Sequence, residues 1–568
     1  VATAPRPALL TDPFVQRPEP DFTEVAWFTE FAGDSHHVLI GDSVDGMSET
    51  ALAEAVSRGV WPEVRVVAAQ TVRLTRVAED PDSRLPADRK PATGIAGREV
   101  YRHHAAIPLR PGARERYRVV STLGDARAVS APFPIRGPLR AGEAAVVMLT
   151  SDHQLLPNVA ANIEFAARTI TEQLGPIDAV FMPGDLVNVP DRASEWFDDQ
   201  RGSAFFPVMQ GCAAAVASDG NSYRGAPIIQ SAPLYPAIGN HEVQGRRAGH
   251  TSLDDSFNDA VPRAVAGPAD HSFSVTTYEE IFSPPRSGPG GKRYYATTVG
   301  DIRLIALFAT RVWRPDRADP DPETRTANTR FQERRDHLTE PSRQGHGAFI
   351  FESLGVGSPQ YDWLRRELAS PAFRAAKYTV VMLHEGPHSL GENVVPAFTP
   401  PRRVEERDDH GELVGIRYDY PAAENMLLRD VAPLLESAGV DLVYSGHNHL
   451  WNRFTSPAGV HYLEASNTGN SFGAFLDISG RSRPAPPAPW RAEDTPVQGN
   501  PGGLAPVVPT IAPVRDDRGR PLPYIADDNL VVFQALHTGT GTVTSWYVDM
   551  NETPTTAVKF DEFPLRRH

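Results

Sequence analysis

Val440-Asp441-Leu442-Val443-Tyr444-Ser445-Gly446-His447-Asn448-His449 is the stretch that decides the fold. Its first half is a short apolar run rich in β-branched and aromatic residues, the pattern of a buried strand. A glycine ends the run, and two imidazoles follow at alternate positions. Four other stretches are built the same way. Ala145 to Ser151 ends at Asp152, and Ile177 to Met182 runs into Gly184-Asp185. Gly239-Asn240-His241-Glu242 and Tyr378 to Leu383, closed by His384, complete the series. Further strands are predicted over Asp301 to Phe308 and Val460 to Ala465, and a helix over Asn158 to Leu174, where Ala161, Phe165, Ile170 and Leu174 fall at helical spacing. Strands alternating with helices predict a layered α/β architecture. In such sheets, side chains from separate strands converge at the C-terminal strand ends.

The residues placed there share one chemistry. Asp152, Asp185, Asn240, His384, His447 and His449 form a ligand set for two adjacent divalent cations. Asp185, with two carboxylate oxygens, can bridge. Asn240, His384 and His447 complete one protein shell with it, and Asp152 and His449 complete the other. Two cations roughly 3.5–4 Å apart lower the pKa of a water between them and clamp both oxygens of an in-line displacement. A lone Gly-Asp or a lone histidine is usually structural. The reading rests on all of them in order, each at a strand end.

Composition bounds the alternatives. A chain of 568 residues is long for one core, so two domains with insertions are expected. A net charge of -15 excludes a general nucleic-acid-binding surface, but not a small anionic substrate, because bound cations reverse the sign locally. Arginine supplies almost all the positive charge; lysine occurs only at Lys90, Lys292, Lys377 and Lys559. Cys212 is the sole cysteine, which rules out an intramolecular disulfide, and its Ala-rich surroundings read as core. No run approaches the roughly 18 apolar residues of a membrane span. Val1-Ala2-Thr3-Ala4-Pro5 suits a start left by removal of an export signal, giving a secreted or periplasmic expectation.

Residues 1–140 read differently. Glu24 to Phe31, His37 to Gly41, Val64 to Ala68, Glu99 to Tyr101, His104 to Leu109 and Arg116 to Val120 are short, turn-bounded strands, the signature of a β-sandwich. Arg136-Gly137-Pro138-Leu139-Arg140 reads as the connector to residues 141–568. Polar stretches at about 243–296, 312–356, 389–420 and 475–525 interrupt the second part, the last being Pro/Gly-dense and surface or lid-like in character.

Asp152, Gly184-Asp185, Gly239-Asn240-His241-Glu242, His384 and Gly446-His447-Asn448-His449 resemble the motifs of calcineurin-like metallophosphoesterases. Ser358-Pro359-Gln360-Tyr361-Asp362-Trp363-Leu364 resembles the Gln-x-x-Trp-Leu segment of the purple acid phosphatase branch, and Trp451-Asn452-Arg453 stands where that branch has Tyr-Glu-Arg. Phe28-Thr29 with His37 to Gly41, and Leu109 to Gly112 with Tyr117 to Val119, are similar to its N-terminal fibronectin type III-like domain. The resemblance implies a four-layer α/β/β/α sandwich behind an all-β fibronectin/immunoglobulin-like sandwich. It implies hydrolysis of a small phosphorylated substrate, a phosphomonoester first, by a metal-bound hydroxide attacking in line. A phosphodiesterase or nucleotide hydrolase shares the same ligand set, and a metal-binding protein without turnover is the rival from another class. The resemblance implies that His241 faces the substrate. From position alone, His388, just past His384, is a second acid candidate or a solvated loop residue, and Arg311 and Arg314, after the strand ending at Phe308, suit phosphate recognition or lie solvated. Two positions depart from the pattern. Gln154 replaces the usual His or Gly of the first motif, and Asn188 stands where the purple branch has its iron-binding Tyr. Amide oxygens of Gln154 or Asn188 favour Mn, Fe(II) or Ca over ferric iron, and Zn suits the His-rich position, so no ferric-tyrosinate colour is expected.

Overall fold

The computed structural model describes residues 7–245, 251–254, 274–312, 349–350, 352–400, 402–465, 468–483, 485, 491–553 and 555–566. Arg314 lies outside them. Within residues 14–136 two antiparallel sheets face each other. One has Phe14–Glu19, Phe22–Thr29, Tyr101–Pro108 and Gln70–Arg73 in that order. The other has Ala126–Val129, Arg114–Leu123, Ser35–Ile40 and Arg65–Ala68, with Phe133–Arg136 also pairing on the second of these. Alternate residues of both sheets (Val25, Trp27, Val38, Ile40, Ile107 and Val119 among them) share one buried cluster, as period-two patterning dictates. The N-terminal part is therefore sandwich-like. The two sequence segments around residues 99–109 form a single strand, and a helix at Glu49–Arg58, capped by the Ser48 hydroxyl and ended by Gly59, was not legible as strand text.

Inside this sandwich the His36 and His103 rings stack with centroids 3.5 Å apart, and His103 bridges the hydroxyls of Thr29 and Thr71 at 2.8 and 2.9 Å. Burial pushes the pKa of His36, His37, His103 and His104 below the ordinary 6.5, that of His103 to about 3. Arg102 and Lys292 add to the lowering at His104, where Glu24 opposes it. The unfolded chain takes up protons below 6.5 while the fold does not, so this stability is present above that pH and is lost as the pH falls toward 3. The melting temperature should drop between about pH 7 and about pH 5, and His103→Gln, which removes the titrating ring from between Thr29 and Thr71, should flatten the drop. An equal slope in the variant would refute the assignment.

Two larger sheets follow. The first runs Leu234–Pro236, Ala179–Met182, Val146–Leu149, Leu530–His537, Thr542–Asp549 and Ala557–Pro564. The second runs Tyr295–Val299, Ile302–Ala306, Tyr378–Met382, Leu442–Ser445, His461–Ala465, Trp451–Thr455 and Tyr524–Ile525. Val147, Leu149, Phe181, Leu304, Val380, Met382, Leu442 and Tyr444 are buried together between them. The alternate residues point outward. Val146, Met148 and Val180 pack with Ile163, Ala166 and Ile170 of the helix Val159–Gln173, and Ile305, Val381 and Val443 join the cluster holding Leu364 and Leu435 of the helices Pro359–Leu368 and Ala432–Ala438. The chain is thus mixed α/β, with strands buried on both faces where the sequence showed continuous apolar runs. Gln360 explains part of its own motif: its amide closes both hydrogen bonds on the Phe308 backbone, at 2.8 and 3.1 Å, where that strand ends.

The sandwich docks on the rest through rings. Phe14 and Phe28 pack on Phe206, and Phe14 on Phe282. Tyr117 donates its hydroxyl to the Gln230 carbonyl at 2.7 Å. The Pro/Gly-rich stretch after 475 is tied down at buried Arg483, which donates to the Gly391 carbonyl at 2.9 and 2.8 Å. Cys212 corrects the core expectation: it is exposed, 3.7 Å from an Asp12 carboxylate oxygen, in an open cleft of about 450 Å³ shared with Arg127. Among the described residues no helix is long and apolar enough to cross a membrane.

Candidate metal centre

Five parallel strands deliver the candidate ligands. In the first sheet Asp152, Asp185 and Asn240 follow the strands ending at Leu149, Met182 and Pro236, which pair in parallel. In the second sheet His384 and the His447/His449 pair follow the strands ending at Met382 and Ser445, also parallel. Because both sets leave from C-terminal ends, they meet. Asp185, His384 and His447 form one group with ligand atoms within 4.8 Å of one another, and Asp152, Asp185 and His449 form a second. The Asp185 carboxylate belongs to both.

The hydrogen bonds show what these groups lack. His384 directs Nδ1 at the Pro183 carbonyl, 3.0 Å away, which puts a proton on that nitrogen. Its Nε2 then faces Asp185 Oδ2 at 3.1 Å, Asn240 Oδ1 at 3.0 Å and His447 Nδ1 at 3.1 Å. One proton on Nε2 can satisfy one of these three acceptors; a cation can satisfy all of them at once. His449 repeats the arrangement, with Nδ1 held by the Asn470 carbonyl at 2.6 Å and Nε2 3.5 Å from Asp152 Oδ1. An imidazole anchored to a backbone carbonyl through one nitrogen, with the other turned inward, is the usual posture of a metal ligand. The donor set therefore fits metal ions.

Electrostatics give the same picture. Burial opposes a charge on Asp185, yet His384, His241 and His447 hold its carboxyl well below the usual range. Burial also opposes a charge on His384, but Asp185, Asp152 and Glu242 outweigh it and push the imidazole up to about 10. Burial and the neighbouring His384 hold His447 well below 6.5. The cluster is a set of buried groups whose charges depend on one another.

Backbone strain concentrates here. Asp152, Gln154, Leu155, Asp185, His447 and His449 all have positive φ, between 43 and 84°. Each such residue costs about 1–3 kcal/mol and persists only where its surroundings overdetermine it. Those surroundings are visible. Glu242, fully buried, accepts from the backbone N–H groups of Gly239, Asp185 and Leu186 at 2.7–2.8 Å, locking two ligand turns together. The His447 N–H donates to both Asp152 oxygens at 3.0 and 3.1 Å. Gly446 has no alternative, since a Cβ there would lie 2.2 Å from Asp152 Oδ2.

The remaining predicted residues divide. His241 joins the cluster: its backbone N–H donates to Asp185 Oδ1 at 2.9 Å, and its Nδ1 bonds the Asn188 carbonyl at 2.8 Å. Asn188 thus meets His241 through its backbone. Gln154 Oε1 is buried without a hydrogen-bond partner among the described residues, two residues from Asp152. Arg311 and His388 do not take the places expected of them. Arg311 is buried, with Nε on Glu385 at 2.9 Å and its terminal nitrogens on the carbonyls of Asn393, Pro396 and Ala397, so it fastens the insertion after residue 389 and adds a positive field at His447. His388 packs on Tyr462 and bonds Asn500 at 3.1 Å, and burial pushes it down to about 4.

Two residues escaped the sequence reading. Phe472 stacks on the His449 ring at 4.3 Å while 36% exposed, and Glu464 is buried beneath the His447/His449 turn. Neither lies in a motif; both are recognisable only by what they touch.

No family model matches the chain, and no curated protein matches it. Among solved structures, the one described as GAP50, the anchor in the inner membrane complex of Plasmodium, aligns over 74% of this chain and 89% of its own at 10% identity and a TM-score of 0.31. A likeness of that size fixes neither fold nor function.

Proposed function

We propose that this chain is a phosphoester hydrolase dependent on two divalent cations, built on the four-layer sandwich of the calcineurin-like metallophosphoesterases and resembling their purple acid phosphatase branch. The observation that carries the reading is the Asp185 carboxylate shared by two ligand groups, beside a His384 Nε2 ringed by three acceptors. Asn240, His384 and His447 would hold one ion with Asp185, and Asp152 and His449 the other, with Gln154 or Asn188 as a neutral oxygen donor. Two such ions supply Lewis acidity toward a phosphoryl group and lower the pKa of a water. Mn, Fe(II), Zn or Ca suit the donors, and without a tyrosinate the protein is not purple.

The chain's own part is orientation and proton handling. The strained turns hold the ligands at fixed spacing, so little reorganisation accompanies reaction. His241, beside Asn240 and with its Nδ1 held by the Asn188 carbonyl, is the imidazole assigned to proton exchange with the leaving oxygen. Arg311 and His388, held by Glu385 and Asn500, are not assigned to substrate here. A phosphomonoester is the first substrate class. Phe472 favours a second reading, since an exposed ring over His449 offers a stacking face to a nucleotide or aryl diester.

Hydrolysis of a chromogenic phosphomonoester and its bis-ester, by chelated protein given Mn, Zn, Fe(II) or Ca singly, tests the proposal. Turnover restored by metal is the expected result, and the mono-to-diester ratio selects the class. Two ions bound with no turnover on either ester would leave a metal-binding protein instead.

A further inference from the structure

We infer that Glu464 is a positioning residue for the metal ligands: a buried carboxylate that fixes the His447/His449 turn by clamping it to the insertion at 389–391. The inference rests on the two-cation reading above.

Glu464 is 1% exposed, on the strand that pairs in parallel with the one ending at Ser445. Its two oxygens take three donors. Oε1 accepts the Asn448 backbone N–H at 2.8 Å, the peptide between the two candidate ligands. Oε2 accepts the Ser389 hydroxyl at 2.5 Å and Asn452 Nδ2 at 3.2 Å. Every partner is itself fixed. The Ser389 oxygen accepts the Gly391 N–H at 3.0 Å, and Asn452 Oδ1 accepts the Leu390 N–H at 2.8 Å. Gly391 fits against Asn448 only because it lacks a Cβ, which would lie 2.3 Å from the Asn448 Cβ. The Arg483 guanidinium then holds the Gly391 carbonyl.

The turn needs such a clamp. His447 and His449 both have positive φ, at 84 and 54°, a conformation that residues with side chains leave when released. Asp152 already holds the His447 N–H at the start of the turn, and Asn448, between the two imidazoles, is where a second buried anion reaches its backbone. Loss of that hydrogen bond lets both imidazoles drift, and metal affinity falls even though no ligand has changed.

The donor pattern dictates the variants. Glu464→Gln keeps the shape but has one oxygen for both sides of the clamp: its NH₂ faces either the Asn448 N–H, losing the turn's bond, or the NH₂ of Asn452, whose orientation the Leu390 N–H fixes. Asn452→Asp added to it moves the anion across the contact and restores a donor facing an acceptor. Ser389→Ala removes one donor at the far side of the clamp and leaves the turn's own bond intact.

The test is calorimetric binding of Mn and of Co to chelated full-length protein, with visible spectra of the cobalt forms and the metal-free melting temperature of each variant. Glu464→Gln should weaken binding by about 10–100-fold and alter the cobalt spectrum, Ser389→Ala should weaken it less, and the Glu464→Gln/Asn452→Asp pair should recover most of the affinity. Wild-type affinity and spectrum in both single variants, with only a lower melting temperature, would overturn the inference and leave the two-cation reading standing. An unmodified protein that binds no metal would overturn that reading and this inference with it.

Discussion

Asp185→Asn is expected to empty both metal positions at once and to lower turnover by at least about 10³-fold, the upper range for loss of one electrostatic stabiliser. The side chain is the only one common to the two ligand groups. The substitution keeps an oxygen that can accept the His241 N–H, now at 2.9 Å, so the turn survives while the negative charge common to the two ligand groups is lost. Asp152→Asn is the informative companion, since Asp152 belongs to one group only and its replacement should leave the Asp185, His384 and His447 position able to bind. Metal stoichiometry by elemental analysis reads the difference directly. One equivalent retained after Asp185→Asn would show that the carboxylate is not shared.

Asp561→Ala should cost about 3–5 kcal/mol, the largest stability effect expected from a single surface-remote change. Arg453 on the second sheet donates Nε and Nη2 to the two Asp561 oxygens on the first, at 2.7 and 2.9 Å, with side chains 5% and 0% exposed. The guanidinium also lies over the Phe563 ring, 4.3 Å from its centroid. Removing the carboxylate alone strands a buried cation between the sheets. Replacing both, as Arg453→Met with Asp561→Leu, should recover most of the loss, because an apolar pair has no desolvation cost to offset. Urea denaturation of the unmodified protein and the two variants at one pH measures this. If the double variant is as unstable as the single one, packing of the guanidinium stem rather than the unpaired charge accounts for the loss.

The legibility of this chain varied with the range of the interactions involved. Short apolar runs closed by Asp152, Asp185, His384 and Gly446-His447 are local signals, and a strand buried on both faces has to look like that wherever it lies in the sequence. The six ligand positions therefore came with the strands that carry them. The run Leu530-Val531-Val532-Phe533 carries the same local signal, but the strand it opens pairs with Val146–Leu149 through Gln534 to His537, joining segments hundreds of residues apart, and no periodicity announces a partner. Arg311 and His388 had the right chemistry at the right distance along the chain, yet burial against Glu385 and Tyr462 gave each a different task.

The sequence by itself determined which side chains can ligate, that they end strands, and that an all-β segment precedes an α/β one. Tertiary structure alone decided that the strand ends of two separate sheets meet, that the Asp185 carboxylate, which the sequence already offered as a bridge, lies within reach of both ligand groups, and which nitrogen of each histidine faces inward. It also decided that Glu464, Ser389 and Asn452 hold the ligand turn from beneath. The physical reason is one of range. Propensity and burial patterning act over a few residues, whereas a buried polar atom is satisfied by whichever group the fold brings within about 3 Å, and no stretch of sequence encodes that neighbour.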